Sequence, residues 1–527
     1  MDVVTDQTAA AGGAARPADE DGPATSSTEQ RRGRVTDRQG LAVALLVLAY
    51  FLVRATAWIA GVRYDDSVLD GTRATDVWQL LDVRLLQGDL IDSIWHLNSQ
   101  PPLFNLYVGF ILHMPAGLRT PIELAFALTL GVAMVVCAYL LLVELTVPRS
   151  VAFGVTLVCV VASPAYLLYE HWLNYAYPTA AFGTIGAWCL VRYLRSGRAR
   201  FGLGFFTAYA AVVLLSSSYQ IEWLGVGVLI VVIAQRQHWR QVLAVAAVPV
   251  VVVVGWYAKD YAQVGTTTTS SWLGMNLARS VLYRAPAGQV ADLQHQGRLD
   301  ALASIPPFSD PQVYSPRFVH AQPSSVAAIG ALTKADGATN FNNPLYATIA
   351  NRYLHDDLVW IQAHPRAYVN DVSGSVAVWM VATDQNFTSS VNWPAVRNYA
   401  WLYDKAVEWQ PVQDPAPGFV VFARGWHRPA WLSFQAIAVY LVALVGTPIL
   451  AWRRRRSDPA LAGTLVVLWW TTGYAMATST LVEIGENERF RSELGPVPLI
   501  LAVVIATAVV RWVWQRRARD EDALHSI

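Results

Sequence analysis

Ten apolar stretches recur along the chain, near residues 41–61, 121–146, 151–168, 177–195, 201–217, 222–235, 241–258, 431–452, 461–481 and 495–514. Most approach the ~20 residues a helix needs to cross a bilayer core. Arginine gathers at every second break between them. Arg31, Arg32, Arg34 and Arg38 precede the first stretch, and Arg192, Arg195, Arg198 and Arg200 close the fourth. Arg236 and Arg240 follow the sixth, Arg453 to Arg456 the eighth, and Arg516, Arg517 and Arg519 the last. Positive charge beside a spanning helix stays on the cytoplasmic side. The pattern predicts an all-α polytopic membrane protein of about ten transmembrane helices, in the plasma membrane, with both termini cytoplasmic. The alternate breaks then face outward. One further apolar run, 103–112, is too short to span and suits a helix that lies at the interface or re-enters. Counting it as a span would invert the arginine alternation downstream.

This reading divides the chain into five parts. Residues 1–36, rich in Ala, Gly, Pro, Ser and Thr, cannot bury a core and are expected to form a disordered cytoplasmic tail. Residues 37–258 form an N-terminal transmembrane module with a first outer loop at 62–120. Residues 259–430, near-balanced in charge and rich in Pro, Ser and Asn, are expected to fold as a mainly helical extracytoplasmic domain. Residues 431–514 supply the C-terminal transmembrane helices, and 515–527 a cytoplasmic tail. The first stretch lies behind too much polar sequence for a cleaved signal and is expected to stay as a start-transfer helix.

Composition narrows the function. The chain is 54% hydrophobic and 15% charged with a net charge of +1, which gives nucleic acid nothing to bind. Cys137, Cys159 and Cys189 all fall inside apolar stretches and read as small buried hydrophobes. No Walker loop, His-Glu-x-x-His or Gly-x-Ser-x-Gly pattern occurs, which removes the ATPase, zincin and α/β-hydrolase classes.

The chemistry gathers in the outer breaks. The first holds Tyr64-Asp65-Asp66, then Asp70, Asp76 and Asp82. Such carboxylates serve as a general base toward a hydroxyl, or hold a divalent cation such as Mg or Mn that grips a phosphate. Solvated helix caps are the plain alternative. Glu170 lies in Tyr169-Glu170-His171-Trp172-Leu173-Asn174-Tyr175, where a carboxylate between apolar stretches is expensive unless paired or functional. The densest break runs Glu483-Ile484-Gly485-Glu486-Asn487-Glu488-Arg489-Phe490-Arg491-Ser492-Glu493. Arg489 and Arg491 stand where positive charge is disfavoured, and a guanidinium suits bidentate phosphate binding. Local neutralisation by the glutamates is the alternative. Lys259, at another outer helix end, is a further candidate for phosphate. Gln100, Tyr175, Glu222, Trp272 and Glu486 are candidate substrate contacts.

In layout and in some thirty residues, the chain resembles the C-type superfamily of integral-membrane glycosyltransferases. Members carry acidic residues in a first outer loop, then membrane-surface helices with a Pro-Pro-Leu-aromatic motif, a second-loop acid and a soluble outer domain. The corresponding positions are Asp65, Asp66, Asp70, Asp76 and Asp82, then Gln100-Pro101-Pro102-Leu103-Phe104, then Glu170. Glu488-Arg489-Phe490 before Pro496 is similar to an Arg-aromatic stretch ahead of a late span. The paired acids are Asp-Asp where the best-known branches have Asp-Glu. Spacing from the prolines favours Asp70 or Asp76 as the base, and nearness to the first span favours Asp66.

The resemblance implies a polyprenyl-phosphate sugar as donor and a hydroxyl on a glycan, lipid or protein as acceptor, with inverting transfer. An outer aspartate would be the base, with Arg489 and Arg491 stabilising the departing phosphate. It leaves a divalent cation undecided. Two other classes compete, a lipid or solute transporter or flippase and a non-catalytic envelope-assembly scaffold. A transporter would bury charge within its spans, and these spans read as nearly charge-free. The abundance of Ala, Val and Arg suits a bacterium of high GC content.

Overall fold

All ten apolar stretches are helical over most of their length in the computed structural model, which describes residues 26–70, 78–314, 329–387, 390–410 and 432–525. Among the described residues there is no strand, only three isolated bridges. Among the described residues six helices are long and apolar enough to cross a membrane: Arg38–Ile59, Ala116–Glu144, Arg236–Val264, Phe434–Arg454, Pro459–Val482 and Val497–Asp522. The pair Arg149–Val161 and Pro164–Glu170, bent by 54° at its break, has the length and apolarity of a broken span or a re-entrant loop.

The other three predicted spans fall short of that standard. Ala176–Ser196 has the length, at 21 residues, but carries Thr179, Thr184 and Arg192. Ala199–Leu215 and Ile221–Ala234 have 17 and 14 residues. At 1.5 Å per residue the shorter one reaches ~21 Å, against ~30 Å for a hydrocarbon core. The short apolar run at 103–112 forms the 11-residue helix Pro102–Leu112, which packs on Val83–Gly88 and Ala199–Leu215.

The first helix runs Ser26–Ile59 and so takes in the last part of the segment expected to be an unstructured tail, whose earlier part lies outside the described residues. The 259–430 segment is helical where described, with Leu273–Ser280, Leu345–Ala363, Pro365–Trp379 and Trp393–Ala406 as its main elements. Its own core centres on Trp272, Met275, Tyr346, Tyr353 and Trp360. Close crossings rest on small residues. A Cβ on Gly274 would lie 1.8 Å from the Ala350 carbonyl, so Leu273–Ser280 crosses Leu345–Ala363 nearly backbone to backbone.

The bend has a local cause. A π-helical turn, Leu157–Val161, precedes Ser163-Pro164, and proline cannot donate to the helix ladder. The Ser163 hydroxyl caps the next turn by accepting from the Tyr166 N–H. The freed carbonyls are taken up from elsewhere. Arg54 donates to Val161 at 2.6 Å, Tyr403 to Val158 at 3.2 Å, and Tyr399 to Ala162. Arg54 also pairs with both Glu170 oxygens, at 3.0 and 2.9 Å, and stacks over the Tyr50 ring. The Tyr177 hydroxyl donates to Glu170 at 2.6 Å. Both charged side chains are buried.

Replacing one partner of this pair strands the other charge among apolar residues, at a cost of about 3–5 kcal/mol. Arg54→Met should lower the unfolding midpoint of the detergent-solubilised protein accordingly. Adding Glu170→Gln should recover much of the loss in a double-mutant cycle. A single variant as stable as the wild type would contradict the pairing.

Candidate functional site

Past the end of the first span, Asp65 forms an isolated parallel bridge with Trp172. The Asp65 N–H donates to the His171 carbonyl at 2.8 Å, and its carbonyl accepts from Leu173 at 3.1 Å. Extended backbone sends neighbouring side chains to opposite sides. Asp65 therefore faces a cavity of about 800 Å³, held by its own Ser67 hydroxyl at 2.6 Å. Asp66 turns the other way and accepts from Thr120 at 2.5 Å.

Widely separated parts of the chain wall this cavity. Asp65 and Trp78 come from the first loop, Gln100 from the proline motif, and Trp172 and Tyr175 from the next break. Trp272, Asn276 and Arg279 come from Leu273–Ser280 and its cap, Asn386 and Phe387 from the segment after Pro365–Trp379, and Glu483, Glu486 and Arg489 from the last break. The walls are fastened by buried polar side chains. Asn105 accepts from the Leu81 N–H at 2.7 Å and donates to the Gln79 carbonyl at 3.0 Å, which sets Trp78 and Gln79 in place. The Ser270 hydroxyl donates to the Ser99 carbonyl at 2.6 Å, and the Ser271 N–H to Asn98 at 3.0 Å, which docks Trp272 beside Gln100.

Arg489 is the most connected wall residue. It donates to Glu486 at 2.9 and 2.6 Å, to the Tyr175 hydroxyl at 2.8 Å and to Glu493 at 3.4 Å, with its guanidinium over the Phe490 ring. Glu493 in turn accepts from Ser216 at 2.6 Å. Arg279 lies 3.2 Å from Glu483. Burial pushes the Glu483 and Glu493 carboxyls up to about 7 and that of Glu488 up to about 8. Glu486 goes the other way: burial alone would raise it, but Arg489 and Arg279 hold it below its ordinary value. With Glu483 and Glu493 about half protonated at neutral pH and Glu486 ionised, the wall's own carboxylates roughly balance Arg489 and Arg279.

Of the residues expected from sequence, Gln100, Tyr175, Trp272, Glu486 and Arg489 share this cavity. Others lie elsewhere. Glu170 borders a separate, mostly apolar cavity of about 190 Å³ with Tyr64, Phe104 and Tyr107. Asp82 caps Val83–Gly88 and accepts from the Ala335 N–H at 2.7 Å. Lys259 is bound to the Leu97 carbonyl and to Asp260, both at 2.5 Å. Arg491 donates to the Val381 carbonyl at 2.6 Å and borders a separate small cavity with Glu408 and Tyr440. Glu222 is exposed at the start of its helix. Asp70 ends a short 3-10 turn with its side chain outside the description, and Asp76 lies outside the described residues.

Sequence reasoning missed Arg279, and it named Asp65, Asn276 and Glu483 only within longer polar segments. The hydroxyl-rich lead-in to Trp272 was the available signal for Arg279 and Asn276, since a polar segment docked on the proline motif brings the next helix with it. Among the described residues no group of three or more His, Cys, Asp or Glu side chains is placed to hold a metal ion. No protein-family model matches the chain, and no curated protein matches it significantly.

The raised carboxyls make stability fall with pH. Glu483, Glu488 and Glu493 bind protons more tightly in the folded state than at their ordinary 4.5, so their contribution is complete below that value. It is lost as pH rises through about 7 to 8. Glu486, which is depressed, acts only at lower pH and does not offset this window. The unfolding temperature of the purified protein should decline between pH 5.5 and 8.5, and Glu488→Gln should flatten the decline. A rising profile would refute this account of the wall.

Proposed function

We propose that the chain is a glycosyltransferase of the plasma membrane that moves a sugar from a polyprenyl-phosphate donor to a hydroxyl on a glycan, lipid or protein acceptor. In this reading the helices make about ten crossings, both termini are cytoplasmic, the cavity opens outward, and the source is bacterial. One observation carries the proposal. A single cavity joins a carboxylate, Asp65, to two arginines and to the aromatic faces of Trp78, Trp172, Tyr175, Trp272 and Phe387. Sugar rings stack on such faces, and a phosphate seeks guanidinium.

The roles follow from position. Asp65 takes the proton of the acceptor hydroxyl as it attacks the sugar carbon, and the bond to the donor phosphate breaks. Arg489 and Arg279 stabilise the negative charge that gathers on the leaving phosphate. Glu486, whose side chain is 28% exposed, is the Arg489 partner a phosphate would displace, while Glu493 stays buried behind it. Tyr175 keeps the guanidinium aimed into the cavity. A divalent cation such as Mg or Mn has no assigned place in this scheme.

Purified protein with a panel of labelled polyprenyl-phosphate sugars and envelope lipid extract tests the proposal. Asp65→Asn should lower transfer about 10²–10⁴-fold, the range of general-base catalysis, with folding intact. Asp66→Asn should leave most of it, and Arg489→Ala should lower it while weakening donor binding. Equal activity in wild type and Asp65→Asn would remove Asp65 from the role. A second reading, a lipid or solute transporter, draws on the buried Arg54–Glu170 and Lys259–Asp260 pairs. Donor binding without transfer for any sugar, together with movement of lipid or solute across vesicles, would favour it.

A further inference from the structure

At the helix ends remote from the large cavity, two spans touch and then part. Gly446 closes a π-helical turn, Val442–Gly446, and a Cβ there would lie 2.7 Å from Ile505 of the last helix. Beyond this contact Phe434–Arg454 and Val497–Asp522 diverge, with Pro459–Val482 alongside, and enclose a cavity of about 530 Å³. Its inner wall is apolar, built from Ile449, Leu450, Leu461, Val504 and Val509. Its mouth is basic, with Arg453, Arg454 and Arg511 on the rim and Trp512 beside them.

The rim charges are uncompensated locally. Arg511 donates to the Thr146 carbonyl at 2.7 Å, which holds it at the mouth. Among the described residues no carboxylate lies within ion-pair distance of Arg453, Arg454 or Arg511. The nearby acids are taken: Glu144 by Arg192 and Arg195 at 2.8 Å each, and Asp458 as a helix cap beside Arg195. A pocket between membrane helices with a greasy wall and a ring of guanidiniums at its mouth is complementary to a lipid whose head is an anion.

We propose that this cavity binds an anionic phospholipid of the adjoining leaflet, its phosphate on Arg453, Arg454 and Arg511 and its acyl chains along the wall of Ile449, Leu461 and Val504. The site stands apart from the sugar-transfer reading and shares no residue with that cavity. The tryptophan at the rim suits the headgroup level, where indole rings concentrate.

The test uses the full-length chain in detergent, with native mass spectrometry and unfolding temperature as readouts. Phosphatidylglycerol, phosphatidylcholine with the same acyl chains, and inorganic phosphate are the three probes. Wild type should retain phosphatidylglycerol and gain thermal stability from it, and should respond to neither phosphatidylcholine nor phosphate. Arg453→Ala/Arg454→Ala/Arg511→Ala should bind phosphatidylglycerol about a hundredfold more weakly. Arg517→Ala/Arg519→Ala, outside the cavity, should bind as wild type does. Val504→Trp, which fills the wall and keeps every arginine, should also lose the lipid, and it serves if the triple variant fails to fold. Equal retention of both lipids, a response to phosphate alone, undiminished binding in the triple variant or in Val504→Trp, or equal loss in the tail variant would each overturn the site.

Discussion

A helix broken inside an apolar layer exposes carbonyls that no water can reach, and this constraint organises much of the fold. The break at Ser163-Pro164 frees carbonyls at Val158, Val161 and Ala162. Arg54 and the hydroxyls of Tyr403 and Tyr399 supply the missing donors. Meeting that demand ties the first span and the Trp393–Ala406 helix to one point. Arg54, now buried, needs a counter-charge, and Glu170 at the end of the tilted half-helix provides it. The turn that follows, Trp172 to Tyr175, is thereby fixed over the large cavity. Asp65 pairs its backbone to that turn, so the cavity's carboxylate is positioned through the same chain of consequences.

The last break shows how a site can be locally neutralised and still receptive. Arg489 is held by Glu493 from behind and by Glu486 from the cavity side. The two carboxylates differ in exposure and in proton affinity. The buried one shifts upward and fixes the guanidinium, while the half-open one stays ionised and is the exchangeable partner. Ion-pair closure and anion capture are then two states of one arginine rather than rival readings of it.

The helical elements and the breaks between them were legible from apolar runs, because burial in lipid demands apolarity whatever the tertiary contacts. The same signal does not fix the number of crossings. Residues 201–217 and 222–235 are apolar, but their helices are short, and hydropathy reports burial rather than depth. In the site, Arg489 and Tyr175 were legible because polar groups at helix ends are costly unless used. Their near neighbours were not. Arg491 lies two residues on, about 200° around the helix, and so serves another cavity. Asp65 and Asp66 part company through extended backbone that pattern alone does not reveal. The Arg54–Glu170 pair spans 116 residues, and no local spacing encodes it.

The buried charges also bear on what the spans do. The sequence reads as nearly charge-free through the membrane, yet Arg54, Glu123, Lys259 and Asp260 are all buried in or at spanning helices. Their positions matter more than their number. Arg54 precedes Ile59, Glu123 follows Ala116 and Lys259 precedes Val264, each within about two turns of the helix end that faces the large cavity. Arg54 and Lys259 each donate to a carbonyl of irregular backbone, Val161 and Leu97, while pairing with a carboxylate. Among the described residues the apolar middle of the spans carries no Asp, Glu, Lys or Arg, apart from Val497–Asp522, where Arg511 follows the apolar run 497–510. A route for ions or charged head groups across the layer needs polar stations at mid-depth. Here charge is used to anchor loops at one face, which is what a cavity built from many distant segments requires of its foundation.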